Sequence, residues 1–290
     1  MKLKRQMAKF KEGIVRFLGN LFDFFLCVLR LIMNILEKIV AHKKGEVAQR
    51  KNDWPVAMLE KERFFAREPF SLKKSLLDER TNGIIAEYKR KSPSKGIINN
   101  RDSVEAVTKA YLGYGASGIS ILTDLEFFGG SLDDLVAARD NSLPLLRKDF
   151  MIDEYQLIEA KAFGADVILL IAACLSPDEV RTLSASAKKL GLEVLLELHD
   201  ETELEHICDT VDLVGVNNRN LKNFEVDLEH SVKLASQIDD RFIKVAESGI
   251  NDVANIHYLK QHGFRGFLIG EYFMKQESPM MAFKAFAYSV

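Results

Sequence analysis

The sequence predicts an α/β fold, a closed (β/α)8 (TIM) barrel with an extra N-terminal helix before the first strand. Three observations carry that prediction. Eight short, β-rich apolar runs alternate with helical stretches at spacings of ~20 to 35 residues. A doubly wound sheet also alternates, but with fewer strands and a glycine fingerprint after the first; none follows the first run here, and no GxGxxG is expected elsewhere. Finally, charged or polar side chains stand at the C-terminal ends of five runs, where barrels of this kind carry their chemistry.

The elements follow in order. Residues 1–32 read as a separate N-terminal extension and residues 33–290 as one catalytic domain. In the extension, Lys2, Lys4, Arg5, Lys9 and Lys11 precede an apolar stretch from Phe17 to Met33. Asp23 inside that stretch and the lack of a small-residue cleavage site argue against a signal peptide. Arg16, Asn20, Asp23 and Arg30 make it a poor membrane span. With Glu12 and Glu37, these residues recur at helical steps and form one polar stripe on an otherwise apolar helix. Such a helix suits a membrane surface, the barrel exterior or a second copy. An equally weighted reading takes Met33 as the natural beginning and the upstream text as a mis-assigned start.

From Met33 to Arg50 the pattern is helical, Pro55 breaks it, and a charged helical stretch runs to Arg80. The expected strands are Gly83–Tyr88, Gly118–Leu122, Leu143–Leu146, Asp166–Ile171, Glu193–Leu198, Leu213–Val216, Ile243–Ala246 and Gly266–Ile269. Ser176-Pro177-Asp178-Glu179 has the layout of a capping box, and Asp200 offers a second cap with an acid, Glu203, three residues on. Gly164 and Gly191 stand where helices should stop.

Composition bounds the function. A net charge of -2 offers no basic excess for nucleic acid. Cys27, Cys174 and Cys208 form no CxxC pair, which favours no disulfide framework and a cytoplasmic location. No histidine spacing suggests a metal site. His206, His230, His257 and His262 read as helix-surface residues; His199, just past an apolar run, could line a site mouth, although the surface reading is favoured.

Side chains on a strand alternate with period two, so residues sharing the barrel mouth should be two apart. Glu87 and Lys89 meet that test after the first run. After the third, either Lys148 with Phe150 or Arg147 with Asp149 does so. Glu197 interrupts an apolar run, Asn217 and Arg219 end the sixth, and Glu247 ends the seventh. Lysines and glutamates gathered in one mouth shift one another's ionisation and supply acid and base partners. Ser248-Gly249 and Gly270 follow the last two strands, where barrels commonly bind phosphate through backbone N–H groups. The basic, glycine-hinged segment Lys91–Gly96 reads as a mobile lid over an anionic substrate.

These blocks together resemble the indole-3-glycerol phosphate synthase family. The resemblance rests on Ile85–Gly96 (IAEYKRKSPSKG), Ser120–Asp124 with Phe127–Ser131, Leu146–Phe150, Gly215–Leu221 and Val245–Ile250, and runs from about Met33 to the C-terminus. It implies ring closure, decarboxylation and dehydration of 1-(2-carboxyphenylamino)-1-deoxyribulose 5-phosphate to indole-3-glycerol phosphate in tryptophan biosynthesis, with no cofactor and no metal. It implies Lys148 as general acid, and Glu197 and Lys89 as partners in the later proton transfers. Glu87, Asn217 and Glu247 match orienting positions. Arg219 and Ser92 match the substrate site, while Phe128, Phe150, Leu169, Leu221 and Leu268 match its apolar wall. Ser248, Gly249, Gly270 and Glu271 match the phosphate end. Tyr88 and Tyr272 depart from the family pattern, the latter beside the phosphate end. Association with other tryptophan-pathway enzymes is a further expectation.

Two other readings remain open at this point. One is another phosphate-binding barrel enzyme, a phosphoribosyl isomerase or a Schiff-base aldolase. The other is a non-catalytic, membrane-associated barrel, motivated by residues 1–32.

Overall fold

The computed structural model describes residues 35–219 and 226–290; the expectations for residues 1–32 and for Leu221 lie outside the described residues. The chain divides into two compact units between Lys43 and Lys44. Of the first, the described part is the opening of helix α1 (Ile35–Asp53). All else below concerns the second. Among the described residues no helix is long and apolar enough to cross a membrane.

Eight parallel strands close on themselves: β1 (Ile84–Tyr88), β2 (Gly118–Leu122), β3 (Leu145–Lys148), β4 (Val167–Ile171), β5 (Glu193–Leu198), β6 (Leu213–Asn217), β7 (Ile243–Glu247) and β8 (Phe264–Ile269). Each pairs with its sequence neighbours, and β1 closes the ring against β8. Helices α2 (Leu72–Leu77), α3 (Val104–Gly113), α4 (Leu132–Ala138), α5 (Glu154–Ala162), α6 (Pro177–Lys189), α7 (Leu228–Ala235), α8 (Val253–Gln261) and α9 (Pro279–Ala287) accompany them.

Alternation decides which side chains face which environment. Ala86, Tyr88, Ile119, Ile121, Ile168, Leu170, Val194, Leu196, Val214 and Val216 point outward into one buried cluster with the helices. Each such aliphatic side chain contributes roughly 1.5–3 kcal/mol by leaving water. The Tyr88 hydroxyl donates to the Asp102 carbonyl at 2.9 Å, so this residue faces the helices as expected. The other parity, with Glu87, Lys148, Glu197, Asn217 and Glu247, is left for the barrel interior.

Strand β3 differs from the expected Leu143–Leu146. Pro144 has no N–H to give the ladder, so pairing starts at Leu145 and runs on to Lys148. Which face Lys148 takes is shown by its contacts with Glu197 and Glu247. Arg147 and Asp149 point outward: Arg147 is fully buried between Asp149 at 3.1 Å and Glu159 at 2.8 Å. Glu159 in turn meets Arg50 of α1 at 2.9 Å.

At the opposite end of the barrel, fully buried Asp166 collects Arg67 and Arg139, each at 2.5 Å, and the backbone N–H groups of Phe70 and Leu145. This carboxylate ties the segment before β1 to the starts of β3 and β4.

The capping box at Ser176 and Glu179 is present. Gly164 and Gly191 adopt left-handed φ of 91° and 77° after their helices. The second cap, Asp200, also forms, without a reciprocal contact from Glu203. Asp200 caps a short 3-10 turn through Thr202, and the Glu203 carboxylate accepts from the His199 N–H at 2.6 Å instead. His206, expected on a helix surface, is buried, its ring nitrogens contacting the carbonyls of Glu203 and Leu175. The expectation that no GxGxxG occurs needs correcting: Gly113-Tyr114-Gly115-Ala116-Ser117-Gly118 has those letters, but it leads from α3 into β2. That is the reverse of the strand-to-helix turn such a fingerprint needs.

Candidate active site

Lys148 occupies the centre of the mouth. Strand β3 delivers its ammonium from one side, and β5 and β7 deliver a carboxylate each. The Lys148 Nζ donates to Glu197 Oε2 at 3.0 Å and makes a second, shorter hydrogen bond to Glu247 Oε2. Burial alone would depress the lysine's ionisation, but Glu197, Glu247 and Glu87 together raise it above the ordinary value. The side chain is therefore a positively charged acid across the neutral range.

The two carboxylates differ. Burial pushes the Glu247 carboxyl up to about 7; neighbouring Glu197 and Glu87 add to this and Lys148 opposes it. Glu247 Oε1 has no hydrogen-bond partner among the described residues. Glu197, equally buried, is instead held well below the usual carboxylate range by Lys148, by His199 and by the Asn217 amide. That amide donates to Glu197 Oε1 at 2.8 Å, while the Asn217 Oδ1 accepts from the Arg219 N–H at 3.0 Å.

Glu87 and Lys89 form a second ion pair at 2.7 Å, and Ser120, beside Glu87 in the β1–β2 register, donates to its other oxygen at 3.4 Å. Two glycines make room for the carboxylates. A Cβ on Gly215 would lie 2.2 Å from Glu247 Oε1, and one on Gly270 would lie 2.5 Å from Glu87 Oε1.

Of the expected apolar wall, Phe128 and Phe150 stand with ring centroids 6.2 Å apart, and Leu169 and Leu268 are buried on the inward parity of β4 and β8. Phe128 ends a one-turn helix, Leu125–Phe128, capped by Asp124. Arg219 approaches Glu271 at 3.4 Å, and its Nε is buried without a partner among the described residues.

The expected lid is a small hairpin, Lys91–Ser92 paired with Gly96–Ile97, with Gly96 at φ 66°. Ser92 is buried and its hydroxyl has no partner among the described residues. At the hairpin base, Arg90 forks onto Asp134 of α4 and reaches the Gly129 carbonyl at 3.3 Å.

At the phosphate end, Ser248 and Gly249 take successive left-handed φ of 68° and 72°. Ser248 is a strained conformation for a residue with a Cβ. The preceding strand end is fixed by Asn218, whose N–H donates to the Glu247 carbonyl at 2.8 Å and whose amide donates to the Ser248 carbonyl at 2.7 Å. Gly270 opens a one-turn helix, Glu271–Met274, that has no side-chain cap. Tyr272 meets Phe273 edge-on and Phe286 at a tilt, so its ring packs against α9.

Sequence reasoning allowed His199 a place at the mouth but favoured a surface position. It is not on the solvent side: its Nε2 lies 3.1 Å from Glu197 Oε1 and its Nδ1 3.4 Å from Glu203 Oε2, both nearly buried. The signal was available, since His199 is two residues after Glu197 and so shares its face.

A family model for indole-3-glycerol phosphate synthase matches residues 36–286. The chain is 47% identical over 247 residues to the indole-3-glycerol phosphate synthase of Bacteroides thetaiotaomicron, covering 85% of this chain and 95% of that one. It is 42% identical over 251 residues to the enzyme of the same name from Salinibacter ruber, covering 85% and 93%. Among solved structures, the tryptophan synthase alpha chain of Legionella pneumophila superimposes with a TM-score of 0.56 at 13% identity, over 75% of this chain and 94% of that one. That likeness concerns the barrel fold alone. By its family match and its relatives, the chain belongs to the indole-3-glycerol phosphate synthase family.

Proposed function

We propose that this barrel closes the indole ring of 1-(2-carboxyphenylamino)-1-deoxyribulose 5-phosphate, releasing carbon dioxide and water, as a carboxy-lyase of tryptophan biosynthesis. The observation that carries the residue roles is the Lys148 ammonium held between Glu197 and Glu247. Attack of an unactivated aryl carbon on a ketone needs a proton for the developing alkoxide, and a positioned ammonium supplies it. Loss of carbon dioxide then restores aromaticity. In the last step the new hydroxyl leaves as water and the methylene beside the nitrogen gives up a proton. Lys89, as an ammonium paired with Glu87, suits the acid role there, and Glu197, held ionised, suits the acceptor.

Phe128, Phe150, Leu169 and Leu268 support an apolar slot for the aromatic ring. Arg219 and Ser92 supply polar groups for the substrate's anionic parts. Ser248, Gly249, Gly270 and the N–H of Glu271 are proposed to hold the phosphate, helped by the uncapped helix start. Residues 33–290 are proposed as the catalytic domain, in the cytoplasm, with no cofactor, metal or nucleic acid required. Contact of residues 1–32 with a membrane and association with neighbouring pathway enzymes stay as proposals from the sequence.

A Schiff-base aldolase through Lys148 is disfavoured because its lysine must be a free amine, whereas Lys148 is held charged, and one through Lys89 is disfavoured by that residue's ion pair with Glu87. Incubation with the carboxyphenylamino substrate should raise indole fluorescence. Lys148→Ala should lower kcat by about 10²–10⁴-fold. A folded wild-type protein that gives no indole product would refute the activity. Retained activity in the variant would refute the role of Lys148.

A further inference from the structure

We propose that His199 is a positioning residue, an imidazolium clamped between Glu197 and Glu203 that keeps the Glu197 carboxylate ionised and aimed at Lys148. This rests on the ring-closing function proposed above. The clamp is built from several directions. Strand β5 places His199 two residues beyond Glu197, on the same face. The following 3-10 turn brings Glu203 back, so that its Oε2 accepts from the His199 N–H at 2.6 Å and lies 3.4 Å from the ring Nδ1. From α7, His230 Nε2 contacts the His199 carbonyl at 3.0 Å. The Nε2 of the His199 ring is thereby left against Glu197 Oε1 at 3.1 Å, the oxygen that Asn217 also engages; neither ring nitrogen is aligned for a hydrogen bond, so the two carboxylates act on the ring as close charges.

The charged groups facing this ring are Glu197 on β5 and Glu203 on the turn, with Lys148 on β3 across Glu197, while His230 on α7 touches the His199 backbone carbonyl and not the ring. Cys174 of the turn after β4 is near both carboxylates, but burial pushes its thiol up to about 12, so it stays neutral. Burial opposes charging His199, and the two carboxylates outweigh it, raising the imidazole to about 10. The clamp explains a feature that Lys148 alone does not. Lys148 serves two carboxylates, yet Glu197 is held ionised while Glu247 rises towards neutrality. His199 faces Glu197 and not Glu247, so a second cation on one side separates the pair.

The test is the pH dependence of kcat with the carboxyphenylamino substrate, for the wild type, His199→Gln and Glu203→Gln. If His199 holds Glu197 ionised, its neutral replacement moves the acid limb upward by about one pH unit, a roughly tenfold loss on that limb. KM should change far less than kcat. Glu203→Gln, which keeps the ring but removes its second anion, should shift the limb the same way by a smaller amount. Profiles that superimpose after scaling, with activity lowered uniformly, would overturn the proposal and leave His199 a packing residue. Nuclear magnetic resonance of the wild-type His199 imidazole needs no variant: an imidazolium at pH 7.5 supports the clamp, and a neutral ring overturns it. If the wild type forms no indole product, the ring-closing function itself fails, whereas the imidazole titration still reports on the clamp.

Discussion

At the scale of single residues, the site depends as much on missing atoms as on charged ones. Gly215 stands between Glu197 and Val245 in the sheet register, and Glu247 Oε1 occupies the space a methyl group would take. Gly215→Ala should therefore push the Glu247 carboxyl off Lys148 while leaving the barrel closed. The expected result is a loss in kcat of about 10²-fold, since a displacement near 1 Å at a reacting group has that effect. The melting temperature should change little by comparison. A variant with wild-type kcat would show that the position of Glu247 is unimportant. Glu87, Glu197 and Glu247 were legible in the sequence because each is a charged residue at an apolar strand end, whereas spacing alone left Lys148 and Arg147 as alternatives. Gly215 was not legible as a spacer, because its role depends on which side chain folds over it from the next strand. His199 was legible by parity alone, but a histidine after an apolar run has a surface reading that competes with it.

At the scale of elements, the strand order and most strand ends could be read from apolar runs and their turn residues. Two strands depart from that reading: β3 starts two residues late at Leu145, after a proline, and β8 starts two residues early at Phe264. The face of Lys148, left open by spacing, is seen in its contacts with Glu197 and Glu247. What sequence spacing did not show is the set of carboxylates that join elements. Asp166 is the main case: two arginines and two backbone N–H groups converge on it from residues distant in sequence. Asp166→Ala leaves the nearly buried Arg139 without its anion. The cost should be about 3–5 kcal/mol of stability. Denaturant unfolding would measure it, and kcat per folded molecule should remain close to wild type because the site lies at the other end of the strands. A loss below 1 kcal/mol, or a selective loss of kcat, would contradict that division between the two ends.

At the scale of the whole molecule, the buried charges tie stability to pH. A group raised on folding contributes fully below its unfolded value and loses that contribution as pH rises through its folded value. For His199 the window runs from 6.5 to about 10. For Glu247 it runs from 4.5 to about 7. Glu197 has the opposite sign, contributing above 4.5 and losing its contribution as pH falls towards its depressed value. Above pH 7, then, His199 dominates among these three, and the melting temperature of the wild type should fall from pH 7 to pH 10 more steeply than that of His199→Gln. The difference should reach a few kcal/mol, since each tenfold gain in proton affinity on folding is worth about 1.36 kcal/mol. Parallel curves would rule it out. A last consequence concerns how such a chain can change over evolutionary time. Arg147, Lys148 and Asp149 are consecutive, yet they serve opposite sides of one strand. Deleting or inserting one residue there would turn Lys148 towards Glu159 and present Arg147 or Asp149 to the mouth. Changes of length in this family should therefore accumulate in the connections between strands and helices, and be purged from the strands that hold the mouth.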